Sequence, residues 1–357
     1  FIFIIAKLYG ANAVGSFALA QTALMLISML CRLGFDTASI RFVSQNYIKK
    51  KYNVIRKIYF MILSIVISLS IISTFVLYFF IPTLVKIMNK PNMNNIFSVT
   101  IFAILPLALL FIHSEHFRGM KKIIYYSLFR NMSITLIASI LLLIFYFLDF
   151  SSSIYPIYAY LFSITLLSFI AFIVWLNQMP ESNNKEDNSE VKLGYLLNVS
   201  LPMLLTSSMS YLLQWASILI LGFYISESKI GIYNITMKLS LATIISSFAI
   251  NSIAAPKFSE LFSEKRMKDF RKTIQHSTQL IFWSSIPFIL LVLIFPTFFL
   301  RLFGEEFISG KWALIFLLVA QIINVTTGSV GFILQMTNKQ KIFLNIMIIS
   351  FIINIGL

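Results

Sequence analysis

Only one cysteine, Cys31, occurs in the 357 residues. A lone thiol excludes an intrachain disulfide framework and a cysteine cluster for zinc or iron–sulfur. Charge is scarce as well: Asp, Glu, Lys and Arg make up 11% of the chain, where a soluble domain carries about 25%. Enzyme signatures are missing too. The only Gly-Lys pair, Gly310-Lys311, has no glycine five positions before it, so there is no phosphate-binding P-loop. His113-Ser114-Glu115-His116 lacks the i, i+4 histidine spacing of a zinc-protease helix, and it reads as the polar cytoplasmic end of a span. No two carboxylates are expected close together within the apolar runs, which argues against a carboxylate-pair mechanism. The chain is therefore expected not to be an enzyme, and no metal or cofactor is implied.

What is abundant is apolar surface. Hydrophobic residues are 59% of the chain and the mean hydropathy is +0.88. A bilayer core of about 30 Å needs about 20 apolar helical residues. Residues 58–85, 91–112, 150–180, 193–226, 277–300 and 312–338 supply such runs without one Asp, Glu, Lys or Arg, and 14–31, 131–148 and 239–256 are shorter but adequate. The fold class is therefore an all-α membrane protein. Because the chain opens at Phe1 and closes inside the apolar run 342–357, it reads as a fragment with about nine full spans plus a partial first and eleventh.

In chain order, residues 1–8 read as the end of a first span and residues 9–14 as a Gly-bounded outer turn. A second span returns from residue 14 to about residue 41, and a basic cytoplasmic loop follows at 42–57, with apolar positions that suit a helix lying on the membrane surface. A third span is predicted to end near Pro82, a fourth near residue 112, a fifth near Asp149 and a sixth at Pro180. Residues 181–192, ESNNKEDNSEVK, are the most polar stretch and read as a flexible cytoplasmic linker. Residues 1–180 would then form an N-terminal bundle and 193–357 a truncated C-terminal one.

A repeat supports two halves. Sliding the sequence by 216 residues lays Gly15 on Gly231, Ala38 on Ala254, Phe42 on Phe258 and Lys49 on Lys265, while Arg41 falls on Lys257. Six crossings separate the copies, so sidedness is kept and the repeats are parallel, an arrangement that places transporter substrates between halves.

The net charge of +15 raises nucleic acid as a partner, but the cations sort by side. Loops of one face hold Lys49, Lys50, Lys51, Lys121, Lys122, Lys265, Arg266, Lys268, Arg271 and Lys272, and the other face has few. That is the positive-inside pattern, which puts the basic loops in the cytoplasm. Anionic lipid headgroups explain these charges better than nucleic acid does.

Charges within spans are costly and mark pathways. Arg32 and Asp36 are four apart on the second span and can pair along one helix face. Arg130 lies about 12 Å into the fifth span at about 1.5 Å per residue, where snorkelling to the headgroups is the simpler role. Lys238, one turn after Asn234 on the eighth span, has no acidic residue within a turn in the sequence, and a water-filled cavity is expected around it. Cations lining such a cavity suit an anionic substrate, phosphate above all.

The order LYGANAVGSFALA, CRLGFDTASIRFVSQ and then a basic loop resembles the start of the polysaccharide (O-antigen type) flippases of the multidrug/oligosaccharidyl-lipid/polysaccharide (MOP) exporter superfamily. Gly10, Gly15, Gly34, Asp36 and Arg41 carry the likeness, with support from HFRGMKKIIYYSLFRN and from the restart at residues 193–202. The resemblance implies a MATE-like transporter fold, two six-helix bundles around a central cavity that opens alternately to each side. It implies a secondary flippase of the cytoplasmic membrane that moves polyprenyl-diphosphate-linked oligosaccharide to the outer leaflet. Arg32, Asp36, Arg130, Asn234 and Lys238 would line the cavity, with Arg41 and Lys257 at the cytoplasmic entrance. Glycosyltransferases, a polymerase of the same pathway and a coupling H+ or Na+ are the implied partners. A multidrug or cation exporter of the same superfamily is the alternative, although it would want buried carboxylates and only Asp36 is in place. A membrane polysaccharide polymerase or ligase would need a large outer loop, which the sequence lacks.

Overall fold

The computed structural model describes residues 1–150, 152–179, 192–337 and 339–356, and these form helices joined by short breaks. Among the described residues eight helices are long and apolar enough to cross a membrane, or nine if one bent pair counts as a single span. The chain is an all-helical multi-pass membrane protein. Helices suit this setting because they satisfy their own backbone polar groups where lipid offers none.

Contacts group the chain into two units, Phe1–Tyr9 with Ser16–Ser226, and Gly10–Gly15 with Glu227–Leu357. In the first lie most of α1 (Ile2–Cys31), then α2 (Phe35–Ile48), α3 (Tyr52–Met88), α4 (Met93–Thr100), α5 (Ile104–Gly119), α6 (Ile123–Ser127), α7 (Ser133–Phe147), α8 (Tyr155–Gln178) and α9 (Leu193–Tyr224). Interior helices are α1 and the α4–α5 stretch, whose most apolar windows are 67% buried against 17% for α3. The exposed side of α3 carries Ile71, Ile72, Phe75, Phe79 and Phe80, a surface stable only with lipid as its solvent.

Several predicted boundaries move. The outer turn shrinks to Gly10, whose φ of 76° and ψ of −179° break α1 without a loop. The second span does not continue to residue 41: its helix stops at Cys31, and Leu33 (φ 48°) and Gly34 (φ 76°) turn the chain into α2. Glycine is required at 34, since a Cβ there would strike the Ser200 carbonyl and Leu204 of α9, and the left-handed backbone favours glycine in any case. Helix α3 passes through Pro82 to Met88. The fourth span, expected to end at residue 112, stays helical to Gly119. His113, Ser114, Glu115 and His116 are accordingly buried rather than a polar tip. Lys122, just past that end, donates at 2.8 Å to both the carbonyl and the side-chain oxygen of Gln178, tying the turn to the end of α8. Of the segment read as a linker, residues 181–191 lie outside the described residues.

The second unit contains α10 (Glu227–Ala242), α11 (Ile245–Ser263), α12 (Met267–Ile294), α13 (Pro296–Arg301), α14 (Lys311–Thr327), α15 (Val330–Met336) and α16 (Gln340–Gly356). Two predicted spans are broken here. Helices α10 and α11 bend by 49°, and Gly328, at φ 70°, separates α14 from α15 where Thr278 fills the space a Cβ would take. Residues 10–15 of α1 pack against α10. Gly15 and Gly231 meet backbone to backbone: a Cβ on Gly15 would strike the Glu227 carbonyl, and one on Gly231 the Ala11 carbonyl. Small residues permit this approach between membrane helices. The 216-residue offset pairs these same two glycines in the sequence. Beside the crossing, the Ala11 N–H freed by the Gly10 break donates to Glu306 Oε1 at 2.6 Å.

Candidate substrate site

Arg32 and Asp36 face each other across the Leu33–Gly34 break rather than along one helix. Arg32 follows the C-terminus of α1 and Asp36 sits in the first turn of α2, so each charge occupies the helix end whose dipole favours it. Arg32 Nε donates to Asp36 Oδ2 at 3.1 Å, and its Nη1 to Ser28 Oγ at 2.8 Å. The other carboxylate oxygen, Oδ1, accepts the Thr37 N–H at 2.9 Å. Arg32 is 3% and Asp36 9% exposed, so the pair is inside the protein.

Arg130 joins them. A π-helical turn, Leu128–Met132, carries it between α6 and α7, and such turns often mark functional positions. The side chain does not snorkel. It lies over the ring of Phe111, with Cζ 3.9 Å from the centroid, and Arg32 Cζ lies 4.3 Å from the same centroid. Two like charges thus share one aromatic face-bearing ring, an arrangement the ring quadrupole favours. What offsets their repulsion is a second carboxylate: Glu115, one turn beyond Phe111 on α5, ion-pairs with Arg130 at 3.3 Å and with the rim residue Arg118 at 3.5 Å. Glu115 is also within electrostatic reach of Asp36. Two carboxylates thus serve the cluster, each paired with a different arginine.

Of the residues expected from the sequence, the structure brings together Arg32, Asp36 and Arg130, and it adds Phe111, Glu115 and Ser28, which the sequence reading did not place in the site. A signal for Glu115 existed, since it lies four residues after Phe111 and three before Arg118, on one helix face. The remaining predicted residues lie elsewhere. Asn234 and Lys238 belong to α10 in the second unit; Asn234 is buried, and among the described residues its Oδ1 accepts no hydrogen bond. Lys238 is half-buried. Arg41 is exposed on α2, and Lys257 is exposed on α11, where it pairs with Glu260 at 2.9 Å. Neither joins the charged cluster.

A family model described as polysaccharide biosynthesis protein matches residues 1–262, and one described as MatE matches residues 202–357. A probable low-salt glycan biosynthesis flippase of Haloferax volcanii is 24% identical over 161 residues, 45% of this chain. That match spans 34% of the relative, about a third of its length. Among solved structures, the inward-facing conformation of a multidrug resistance MATE family transporter of the MOP superfamily aligns with a TM-score of 0.81 at 14% identity, covering 99% of this chain and 83% of that one. The lipid II flippase MurJ in its inward closed conformation aligns with a TM-score of 0.67 at 13% identity, covering 100% and 84%. Both likenesses show the fold, that of MATE-like transporters.

Proposed function

Because this chain belongs to the polysaccharide biosynthesis protein family, within the MOP superfamily, we propose that it is a secondary flippase for polyprenyl-diphosphate-linked oligosaccharide. It carries the glycan from the cytoplasmic to the outer leaflet of the cell membrane by alternating access of halves 1–180 and 193–357. The observation that carries this reading is the pair of guanidiniums, Arg32 buried and Arg130 half-buried, over the single ring of Phe111. A diphosphate presents anionic oxygens to both, in the charge-assisted and bidentate geometry that arginine favours. Asp36 and Glu115 hold the two cations while no substrate is bound, and the phosphates take their place. The exchange matters because an arginine stripped of its partner in a buried site is strongly destabilising. Arg41 and Lys257 attract the substrate at the cytoplasmic entrance, Lys238 and Asn234 receive it later in the cycle, and the lipid tail stays in the bilayer. The names of the Haloferax relative and of MurJ, both flippases, support the same reading.

The test is export in cells deleted for their own copy. Arg32→Gln combined with Lys238→Gln, at normal protein level in the membrane, is expected to lower surface glycan at least about tenfold, equivalent to about 1.4 kcal/mol. Unchanged export would overturn the cationic pathway.

Two observations favour a second reading, a cation exporter of the same superfamily: Asp36 and Glu115 are two buried carboxylates where the sequence promised one, and the MatE match covers residues 202–357. That reading requires a lipophilic cation to bind, Glu115→Gln to abolish its binding, and polyprenyl diphosphate to be ignored.

A further inference from the structure

The charged cluster leaves one group of buried polar side chains unused. Tyr59 of α3, His113 and His116 of α5 and Trp175 of α8 are each at most 1% exposed. The Tyr59 hydroxyl lies 3.1 Å from His113 Nδ1. Its ring stacks on Trp175 with centroids 3.5 Å apart, and His116 stands edge-on to it at 5.1 Å. Among the described residues neither ring nitrogen of His116 has a hydrogen-bond partner, and neither does Trp175 Nε1. An imidazole always presents at least one donor, and buried polar atoms left without partners call for a reason. Inside a membrane, ionisable side chains in such series mark proton paths.

We propose that His116, backed by the Tyr59–His113 pair, is a proton-binding site reached from the cytoplasmic side, through which proton arrival moves α5. His116 and Trp175 lie within one helical turn of the helix ends at Gly119 and Gln178, where Lys122 closes the turn onto Gln178. On the positive-inside reading those ends are cytoplasmic, so a proton has about one turn of helix to pass.

The surroundings make protonation consequential. Helix α8 contains no Asp, Glu, Lys, Arg or His. From α3 only Tyr59 faces the box, since Arg56 and Lys57 are exposed, and Tyr125 of α6 packs on Phe117 instead. Asp36 of α2, Arg130 of the π turn, and Glu115 and Arg118 of α5 make up the cluster on a different face of α5. An imidazolium at 116 therefore has no carboxylate in the box to meet it. Such a charge either draws water in or loosens α5 from α3 and α8. The same helix carries Phe111 and Glu115, which hold Arg130. Proton binding would thus reset the phosphate-binding arginines, a use that rests on the flippase reading, whereas the proton site itself does not.

Trp175 reports on the site, since its ring centroid is 6.2 Å from that of His116 and an imidazolium at that distance quenches indole emission. In a chain whose Trp215, Trp283 and Trp312 are replaced by Phe, emission is followed from about pH 8 downward through the whole range over which the chain stays folded. A single-proton quench is expected, lost in His116→Gln and retained in His276→Gln, which alters the exposed third histidine. No quench, or a quench that survives His116→Gln, overturns the site. Should the tryptophan-poor chain not fold, proton uptake by the protein with all its tryptophans, in weakly buffered detergent solution, decides: wild type takes up one more proton than His116→Gln, and equal uptake overturns the proposal. No glycan is needed in either measurement. Failure to bind a polyprenyl diphosphate would sink the flippase reading while leaving this result standing.

Discussion

Arg32→Ala is expected to cost about 3–5 kcal/mol of stability, because it removes one partner of a buried ion pair and leaves the other uncompensated. Asp36, 9% exposed, would keep only the Thr37 N–H among the hydrogen bonds seen here. Thermal unfolding in detergent reads the loss. The double change Arg32→Met with Asp36→Leu is expected to recover most of it, since a buried pair can be replaced by well-packed apolar residues at little net cost. Glycan export, in contrast, is expected to be lost in both. That contrast separates structure from function: a pair kept only for packing would leave the double variant active.

Gly15→Val and Gly231→Val are expected to be the next most damaging changes. Each places a side chain where only backbone now stands, against the Glu227 and Ala11 carbonyls respectively. Overpacking of a filled interior costs about 1–3 kcal/mol, and backbone yields less readily than side chains, so the upper end is expected. The control is Gly194→Ala on α9, where a Cβ meets nothing within 4 Å and the effect is expected to be neutral or slightly stabilising, by up to about 1 kcal/mol of helix propensity. Membrane accumulation and unfolding temperature of the three variants check the order. Tolerance of Gly15→Val equal to that of Gly194→Ala would mean that α1 and α10 do not meet at this point.

The spans were legible because apolar run length is set by the bilayer, and the turn near Gly10 was visible as a glycine-bounded stretch, whereas the break at Gly34 was hidden inside a run expected to continue to residue 41. The 216-residue offset had aligned Gly15 with Gly231, and the structure holds both to glycine by one close approach. The spacing of Arg32 and Asp36 gave the right pairing on the wrong backbone, since four residues of helix and a two-residue turn between helix ends bring the same side chains together. Glu115 was not legible as a site residue. The apolar run stops at Ile112, and nothing along the chain says that α5 continues to Gly119 because Arg130, fifteen positions on, neutralises a carboxylate there. Phe111 was hidden among many phenylalanines, and only the convergence of two guanidiniums on its ring singles it out.

The most direct measurement is equilibrium binding of a polyprenyl diphosphate to the purified protein, set against the same chain as a free alcohol. The account predicts that the diphosphate binds and the alcohol does not compete, and that Arg130→Gln, with its unfolding temperature preserved, weakens diphosphate binding at least about tenfold, equivalent to about 1.4 kcal/mol. Equal binding of alcohol and diphosphate, or a diphosphate affinity untouched by Arg130→Gln, would contradict it.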